Sequence, residues 1–158
     1  MDDKRALLRH TVATVAYRGG KVLRDAPPDF AAFSSDGSPR TAAKIVAHLA
    51  DLYDWALTQA KGAEAWHDTT PGAWDHEVGR FFAALQQFDE YLSSEAPLAV
   101  TPEKLFQGAI ADSLTHVGQL AILRRLAGAR MKSENYSRAD IQAGRVGPAQ
   151  TTPSREFD

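Results

Sequence analysis

The chain has 158 residues, enough for one domain with a buried core and no covalent cross-links. Its hydrophobic fraction of 44% is ordinary for a globular protein, and its net charge of −2 excludes a general attraction to nucleic acid or anionic membranes. The absence of cysteine excludes disulfides, thiolate metal ligands and a cysteine nucleophile. The N-terminal segment lacks the apolar block of a signal peptide, and no apolar run reaches the roughly 18 residues of a membrane span. We therefore expect a soluble, cytoplasmic protein that binds neither membrane nor nucleic acid.

Four segments have the apolar spacing of a helix, and none shows the alternation that is typical of a strand. The first predicted helix runs from about Asp3 to Arg24 and is stopped by Pro27-Pro28. Gly19-Gly20 lies within it and weakens it by about 1 kcal/mol per glycine relative to alanine.

The other three predicted helices each begin with a hydroxyl residue followed by proline: Ser38-Pro39, Thr70-Pro71 and Thr101-Pro102. The hydroxyl can accept a hydrogen bond from an unpaired amide of the first turn, and proline has no N–H to leave unpaired. This signature predicts helix starts near residues 39, 71 and 102. Small or glycine-rich segments predict the corresponding ends at about Ala60, Leu92 and Ala127.

The chain becomes polar and irregular after Gly128. We expect one short helix beginning at Ser137, where Asp140 completes a capping box, and ending by Gly144. Together these patterns predict an all-α protein, a four-helix bundle over residues 1–130 with an irregular C-terminal extension over residues 131–158. The two parts form a single domain, and the last few residues are expected to be mobile.

The five histidines fall into different predicted environments. His67 lies in a polar loop, His76 lies on the outer side of the third helix, and the burial of His10 is undecided. His48 shares the apolar side of the second helix, whereas the acidic residues of that helix, Asp51 and Asp54, point elsewhere. His116 likewise belongs to the apolar side of the fourth helix.

Asp112 lies on the same apolar side as His116, one turn earlier. A buried carboxylate needs partners, because burying it unpaired costs several kcal/mol. The three groups His48, Asp112 and His116 can satisfy one another in two ways: by coordinating a divalent cation, or by forming a hydrogen-bonded cluster. Two histidines and one carboxylate suit zinc, iron or nickel, and leave positions open for water or substrate.

Two stretches that carry these residues, IVAHLADLYDWAL (45–57) and DSLTHVGQLAILRRLAG (112–128), resemble the DinB family, also called DinB/YfiT-like. TVATVAYRGGKVLRDAP and NYSRADIQAGRVG resemble one branch of the same family. The resemblance implies an up-down-down-up four-helix bundle, often a homodimer. It also implies a divalent metal held by a histidine of the second helix and an H-x-x-x-H pair of the last. His48 matches the first ligand and His116 the last, while Asp112 stands where the commoner pattern has histidine.

Characterised relatives in that family are thiol-dependent transferases and isomerases that use thiols such as mycothiol or bacillithiol. The expected function is therefore that of an enzyme dependent on a divalent metal ion (Zn, Ni or Fe). It would be a transferase or hydrolase of a small molecule, using an external low-molecular-weight thiol or water activated by the metal. The alternative is a non-catalytic binding or dimerisation module in which His48, Asp112 and His116 form a structural network.

Four further polar residues are candidates for a role near this site. Gln119 either donates a hydrogen bond that supports His116 or makes an interhelical contact. Tyr53 and Tyr136 either line the mouth of a pocket or pack against neighbouring helices. Ser113 points about 100° away from Asp112 on the helix, and the chain has no strand–turn–helix nucleophile elbow, so a Ser-His-Asp hydrolase is not expected.

Overall fold

The computed structural model describes residues 2–158 and is mostly helical, which confirms the predicted all-α class. The long helices are α1 (Asp3–Leu23), α2 (Ala42–Ala60) and α3 (Trp74–Ser93). A fourth helical segment is built from α4 (Pro102–Leu105), a π-helical turn (Phe106–Ile110) and α5 (Ala111–Leu126). None of the helices formed by residues 2–158 combines the length and the apolar character needed to cross a membrane.

The first and fourth helical segments run in the same direction. Lys4 at the start of α1 pairs with Glu103 of α4, with 2.5 Å between Nζ and Oε1. At the other end, the guanidinium of Arg124 on α5 donates to the carbonyl of Val22 on α1 at 3.0 Å. Contacts at both ends therefore fix the parallel pairing of these two segments.

The second helix runs antiparallel to the fourth helical segment. His48 of α2 lies beside His116 of α5, with ring centroids 4.7 Å apart. Further along α2, Tyr53 lies beside Ser113, which precedes His116 on α5, and the two hydroxyl oxygens are 2.7 Å apart. The residue numbers of the contacts rise along α2 and fall along α5, so the two helices run in opposite directions.

The third helix runs antiparallel to the first. Arg9 near the start of α1 binds Asp89 near the end of α3 through two hydrogen bonds. Gly19 near the end of α1 instead faces Phe81, which lies in the first half of α3. The chain thus goes up in α1, down in α2 and α3, and up again in α4–α5.

The core lies between these helices and is rich in aromatic and branched apolar side chains. Each fully buried side chain of this kind contributes roughly 1.5–3 kcal/mol through its removal from water. Gly19 allows α1 to approach α3 closely, because a Cβ at this position would lie 3.0 Å from the ring of Phe81. The largest side chains that are fully buried are Tyr17, Phe30, Leu49, Tyr53, Phe81, Leu85, Phe88, Leu92, Leu105, Ile110 and Leu120.

The predicted start of α2 at Ser38-Pro39 is wrong. The N-cap is Thr41, whose hydroxyl accepts from the Lys44 amide, and the helix begins at Ala42. The Ser38 hydroxyl instead accepts from the amide of Arg40 at 3.1 Å and closes a turn ahead of the helix. A hydroxyl followed by proline therefore serves a turn here, and the loop that it shapes places Arg40 next to α2.

The predicted start of α3 at Thr70-Pro71 is also wrong, since the helix begins at Trp74 after an uncapped Ala73. The Glu77 carboxylate instead accepts from the amide of Gly72 at 2.9 Å, which ties the loop ahead of the helix to its first turn. The predicted start at Thr101-Pro102 is confirmed, with the Thr101 hydroxyl accepting from the amide of Lys104.

The C-terminal extension packs against α1. Glu134 is buried and accepts hydrogen bonds from the hydroxyl of Tyr17 at 2.6 Å and from Lys21 at 2.9 Å. β1 (Ser133–Glu134) pairs in antiparallel fashion with β2 (Glu156–Phe157), so the last residues return to the same place. The short helix predicted from Ser137 is wrong: a single 3₁₀ turn spans Tyr136–Arg138, and Asn135 caps it.

Candidate metal centre

The antiparallel packing of α2 and α5 brings His48, Asp112 and His116 together. Asp112 and His116 are one turn apart on α5, and His48 faces them from α2. One donor atom of each residue lies within 4.8 Å of the donor atoms of the other two. The rings of His48 and His116 are nearly perpendicular to each other. The residues singled out from the sequence are thus adjacent in space.

The separations within this cluster are longer than hydrogen bonds. Nε2 of His116 lies 3.4 Å from Oδ2 of Asp112, and Nε2 of His48 lies 3.6 Å from the same oxygen. At such a distance an N–H donor and an oxygen form at most a weak hydrogen bond. By contrast, ligand atoms bonded to one tetrahedral zinc ion at about 2.0–2.2 Å are about 3.3–3.6 Å apart. These separations of 3.4 and 3.6 Å match the spacing between ligands around a cation.

Gln119 fixes the orientation of the His116 ring. Its side-chain oxygen accepts a hydrogen bond from Nδ1 of His116 at 2.8 Å. A proton on Nδ1 leaves the lone pair of Nε2 free on the side that faces Asp112. Gln119 thus supports His116 rather than making a plain interhelical contact, but it accepts the hydrogen bond and does not donate it as expected.

The cluster is accessible from one side. The side chain of His116 is 9% exposed, that of His48 26% and that of Asp112 46%, so the site opens outward past the carboxylate. The indole of Trp66 packs edge-on against the ring of His48, with centroids 5.5 Å apart. Trp66 itself belongs to the connection between α2 and α3 and forms a wall at this side of the site.

Arg40 contributes positive charge next to the cluster. Its Nη2 atom lies 3.3 Å from Nδ1 and 3.4 Å from Nε2 of His116. Burial lowers the pKa of His48, and the nearby His116 and Arg40 lower it further, while Asp112 acts in the opposite direction. The neutral imidazole, which is the form that binds metal ions, is therefore favoured at His48.

A cavity of about 420 Å³ adjoins His48 and extends between the loop before α2 and the connection before α3. Its lining includes Arg40 and Lys44 from the segment around the start of α2, and Asp68 and Thr70 from the connection before α3. Its volume is within the range of small-molecule sites. A larger open groove of about 840 Å³ lies elsewhere, near the start of α1, and the residues that line it include no histidine.

The remaining candidate residues lie elsewhere or serve packing. Tyr53 is fully buried and bonded to Ser113, whose hydroxyl also donates to the carbonyl of Ile110, so neither one reaches the cavity. Tyr136 packs against Tyr17 of α1 and is not among the residues that line the cavity beside His48. The other three histidines, His10, His67 and His76, are all exposed.

A buried ionic cluster holds the connection that carries Trp66. Asp51, expected to point away from the core, is 2% exposed and accepts from the amide and the hydroxyl of Thr69. Arg80 donates to Asp51 at 2.8 Å and to Glu77 at 3.0 Å. Burial opposes the charge of Glu77, but hydrogen bonds from the Gly72 amide and Arg80 hold its pKa below the ordinary value.

Sequence reasoning missed Arg40 and Trp66 as parts of the site. Both belong to irregular segments, where no periodicity indicates which way a side chain points. Their residue types were the only available signal: an arginine just before a helix and an aromatic residue in a polar loop.

Comparison of the chain with protein-family models, curated proteins and solved structures found no match.

Proposed function

We propose that His48, Asp112 and His116 bind one divalent cation and that the protein is a metal-dependent enzyme of the DinB-like kind. The observation that carries the proposal is the pair of separations of 3.4 and 3.6 Å between the two imidazole nitrogens and one carboxylate oxygen. A hydrogen-bonded network would draw these atoms to about 2.7–3.2 Å, whereas a shared cation keeps them apart.

The helix directions also support the proposal. The up-down-down-up order of α1, α2, α3 and α4–α5 is the arrangement that the sequence resemblance implies. In this structure, as in the pattern that the resemblance implies, one candidate ligand comes from the second helix and two come from the last helix. Two histidines with one carboxylate suit zinc, nickel or iron, and we propose one of these three.

The chain's own residues prepare the site for a reaction with a small molecule. Gln119 holds His116 in the tautomer that ligates through Nε2, and the 46% exposure of Asp112 leaves the outward side open to a substrate. Trp66 shields His48 from solvent on one side. A divalent cation lowers the pKa of water or of a thiol that it binds.

We propose a transferase or hydrolase reaction, with the nucleophile taken from outside the chain. The protein has no cysteine, so a thiol nucleophile has to be a low-molecular-weight thiol such as bacillithiol or mycothiol. The homodimer implied by the resemblance is part of the same proposal. Exposed apolar side chains that a second copy could cover lie on α1 and the fourth helical segment, and they include Leu7, Phe106, Ile122 and Leu126.

One observation favours a second function, a non-catalytic module whose His48, Asp112 and His116 are structural. Asp112 stands where the commoner pattern of the resembling family has histidine. A carboxylate also satisfies two imidazoles without a metal when they carry protons. The experiment below separates the two functions.

The test uses protein purified without a histidine tag. Elemental analysis is expected to find one Zn, Ni or Fe per chain. After removal of that metal with a chelator, added zinc is expected to raise the unfolding temperature, because a ligand at 100 times its Kd stabilises by about 2.7 kcal/mol. His48→Ala and His116→Ala should abolish both effects, whereas the matched variants His10→Ala and His76→Ala, at exposed positions, should retain them.

The catalytic and structural functions are separated with the cobalt-substituted protein. Binding of bacillithiol, mycothiol or glutathione at an open position changes the visible spectrum of the metal, and a closed structural site leaves it unchanged. Absence of stoichiometric metal together with an unchanged unfolding temperature in zinc would refute the metal site. Metal with no spectral response to any of the three thiols or to azide would support the structural module instead.

A further inference from the structure

We infer that Arg40 and Lys44 bind an anionic group of the substrate, a carboxylate or a phosphate, in the cavity beside His48. This inference rests on the proposed function, because the molecule in question is the substrate of that enzyme. It adds a residue pair and a chemical class to a proposal that otherwise leaves the substrate undefined.

The first support is that no carboxylate neutralises the positive charges of Arg40 and Lys44. Among residues 2–158, neither Arg40 nor Lys44 forms an ion pair with a carboxylate, although 20 acidic residues are present in the chain. The Arg40 guanidinium rests instead against the ring of His116, 3.3 Å from Nδ1. Its other donors have no acceptor among the hydrogen bonds that these residues form, so they are available to a ligand.

The second support is the position of Arg40 relative to the candidate cation. A guanidinium beside a metal ligand is repelled by the bound cation, and a structural metal site gains nothing from it. An anion that lies between the Arg40 guanidinium and the metal cation attracts both of them and offsets their mutual repulsion. Arginine is also suited to hold a carboxylate or a phosphate through two parallel N–H donors.

The third support is the cavity itself. Its volume of about 420 Å³ accommodates a small molecule, and Arg40 and Lys44 lie on the wall next to His48. The start of α2, a helix of 19 residues, adds the positive end of its dipole at the same wall. Asp68 also lines the cavity, so repulsion by its carboxylate favours a position of the anion close to Arg40 and Lys44 and away from Asp68. Thr70 there offers a hydroxyl to an uncharged part of the ligand.

The experiment measures anion binding without relying on activity. Metal-free protein labelled with ¹⁵N is titrated with inorganic phosphate and, separately, with acetate at low ionic strength. Saturable shifts are expected for the backbone amides of residues 40–48 and 68–70, and the tighter of the two anions indicates whether the substrate carries phosphate or carboxylate. The double variant Arg40→Gln/Lys44→Gln should weaken the tighter anion at least 10-fold.

The matched control is the double variant Lys104→Gln/Arg125→Gln. It removes the same two charges, one lysine and one arginine, from exposed positions of the fourth helical segment and should leave the affinity unchanged. Equal weakening of anion binding in both double variants, or no saturable amide shifts at residues 40–48 and 68–70, would overturn the inference. Zinc titration of the same samples separates the two proposals. Zinc uptake without anion binding refutes this inference alone, and anion binding without zinc uptake supports the anion site while refuting the metal enzyme.

Discussion

Arg80 joins two buried carboxylates, and replacing it by methionine is expected to cost about 3–5 kcal/mol of unfolding free energy. The side chain donates to Asp51 at 2.8 Å, to Glu77 at 3.0 Å and to the carbonyl of Ala47 at 3.1 Å. Asp51 and Glu77 are only 2% and 1% exposed, so methionine would leave two anions in the protein interior without their shared cation. Such a loss is a large part of the unfolding free energy of a typical domain, which is roughly 5–15 kcal/mol.

Urea unfolding followed by circular dichroism measures this loss. The triple variant Asp51→Asn/Glu77→Gln/Arg80→Met removes both anions together with the cation, so it should be clearly more stable than Arg80→Met alone. Arg125→Met, an exposed arginine on α5, controls for the general effect of the substitution and should change stability by less than about 0.5 kcal/mol. A triple variant no more stable than the single one would show that unpaired buried charge is not the cause.

Two further predictions concern stability. Gly19→Ala should destabilise the protein by about 1 kcal/mol, because crowding against the fully buried Phe81 outweighs the gain in helix propensity. Gly118→Ala has open space around its Cβ and should stabilise the protein by about 0.5–1 kcal/mol. Thermal unfolding of both variants tests these opposite signs. Because hydrogen bonds lower the pKa of Glu77 in the folded state, its contribution to stability is complete above the unfolded pKa of about 4.3 and is lost as the pH falls through the folded pKa. Glu77→Gln should therefore flatten the decline of stability below about pH 5 in urea titrations, and an unchanged slope would contradict this assignment.

The helical class of the protein followed from its sequence because apolar periodicity reports directly on which side of a helix is buried. The boundaries were harder to predict where a local motif has two uses. Thr101-Pro102 begins a helix, but Ser38-Pro39 closes a turn and Thr70-Pro71 belongs to an irregular connection. A hydroxyl before proline suits any segment that needs an acceptor and a fixed backbone, so tertiary contacts decide which use prevails.

The candidate site was predictable where it is built on helices and hidden where it is built on loops. His48 and His116 meet because the apolar faces of their helices pack together, whereas Asp112 joins them at the edge of its face with a side chain 46% exposed and is not buried as expected. Arg40 and Trp66 reach the site from irregular segments whose course depends on contacts made elsewhere. The burial of Asp51 was missed for a related reason: its partners lie on another helix and in a connection, which the pattern of α2 alone does not reveal.

The π-helical turn at Phe106–Ile110 marks where the fourth helical segment tolerates a change of length. Such a turn holds one residue more than an α turn, so losing one residue there would restore ordinary helix and leave the faces on both sides in register. The same loss between Asp112 and His116 would rotate everything beyond it by about 100° and carry the imidazole away from the carboxylate. We therefore expect tolerated single-residue deletions in this helix to be confined to the turn that precedes the site, so that the spacing between Asp112 and His116 is kept.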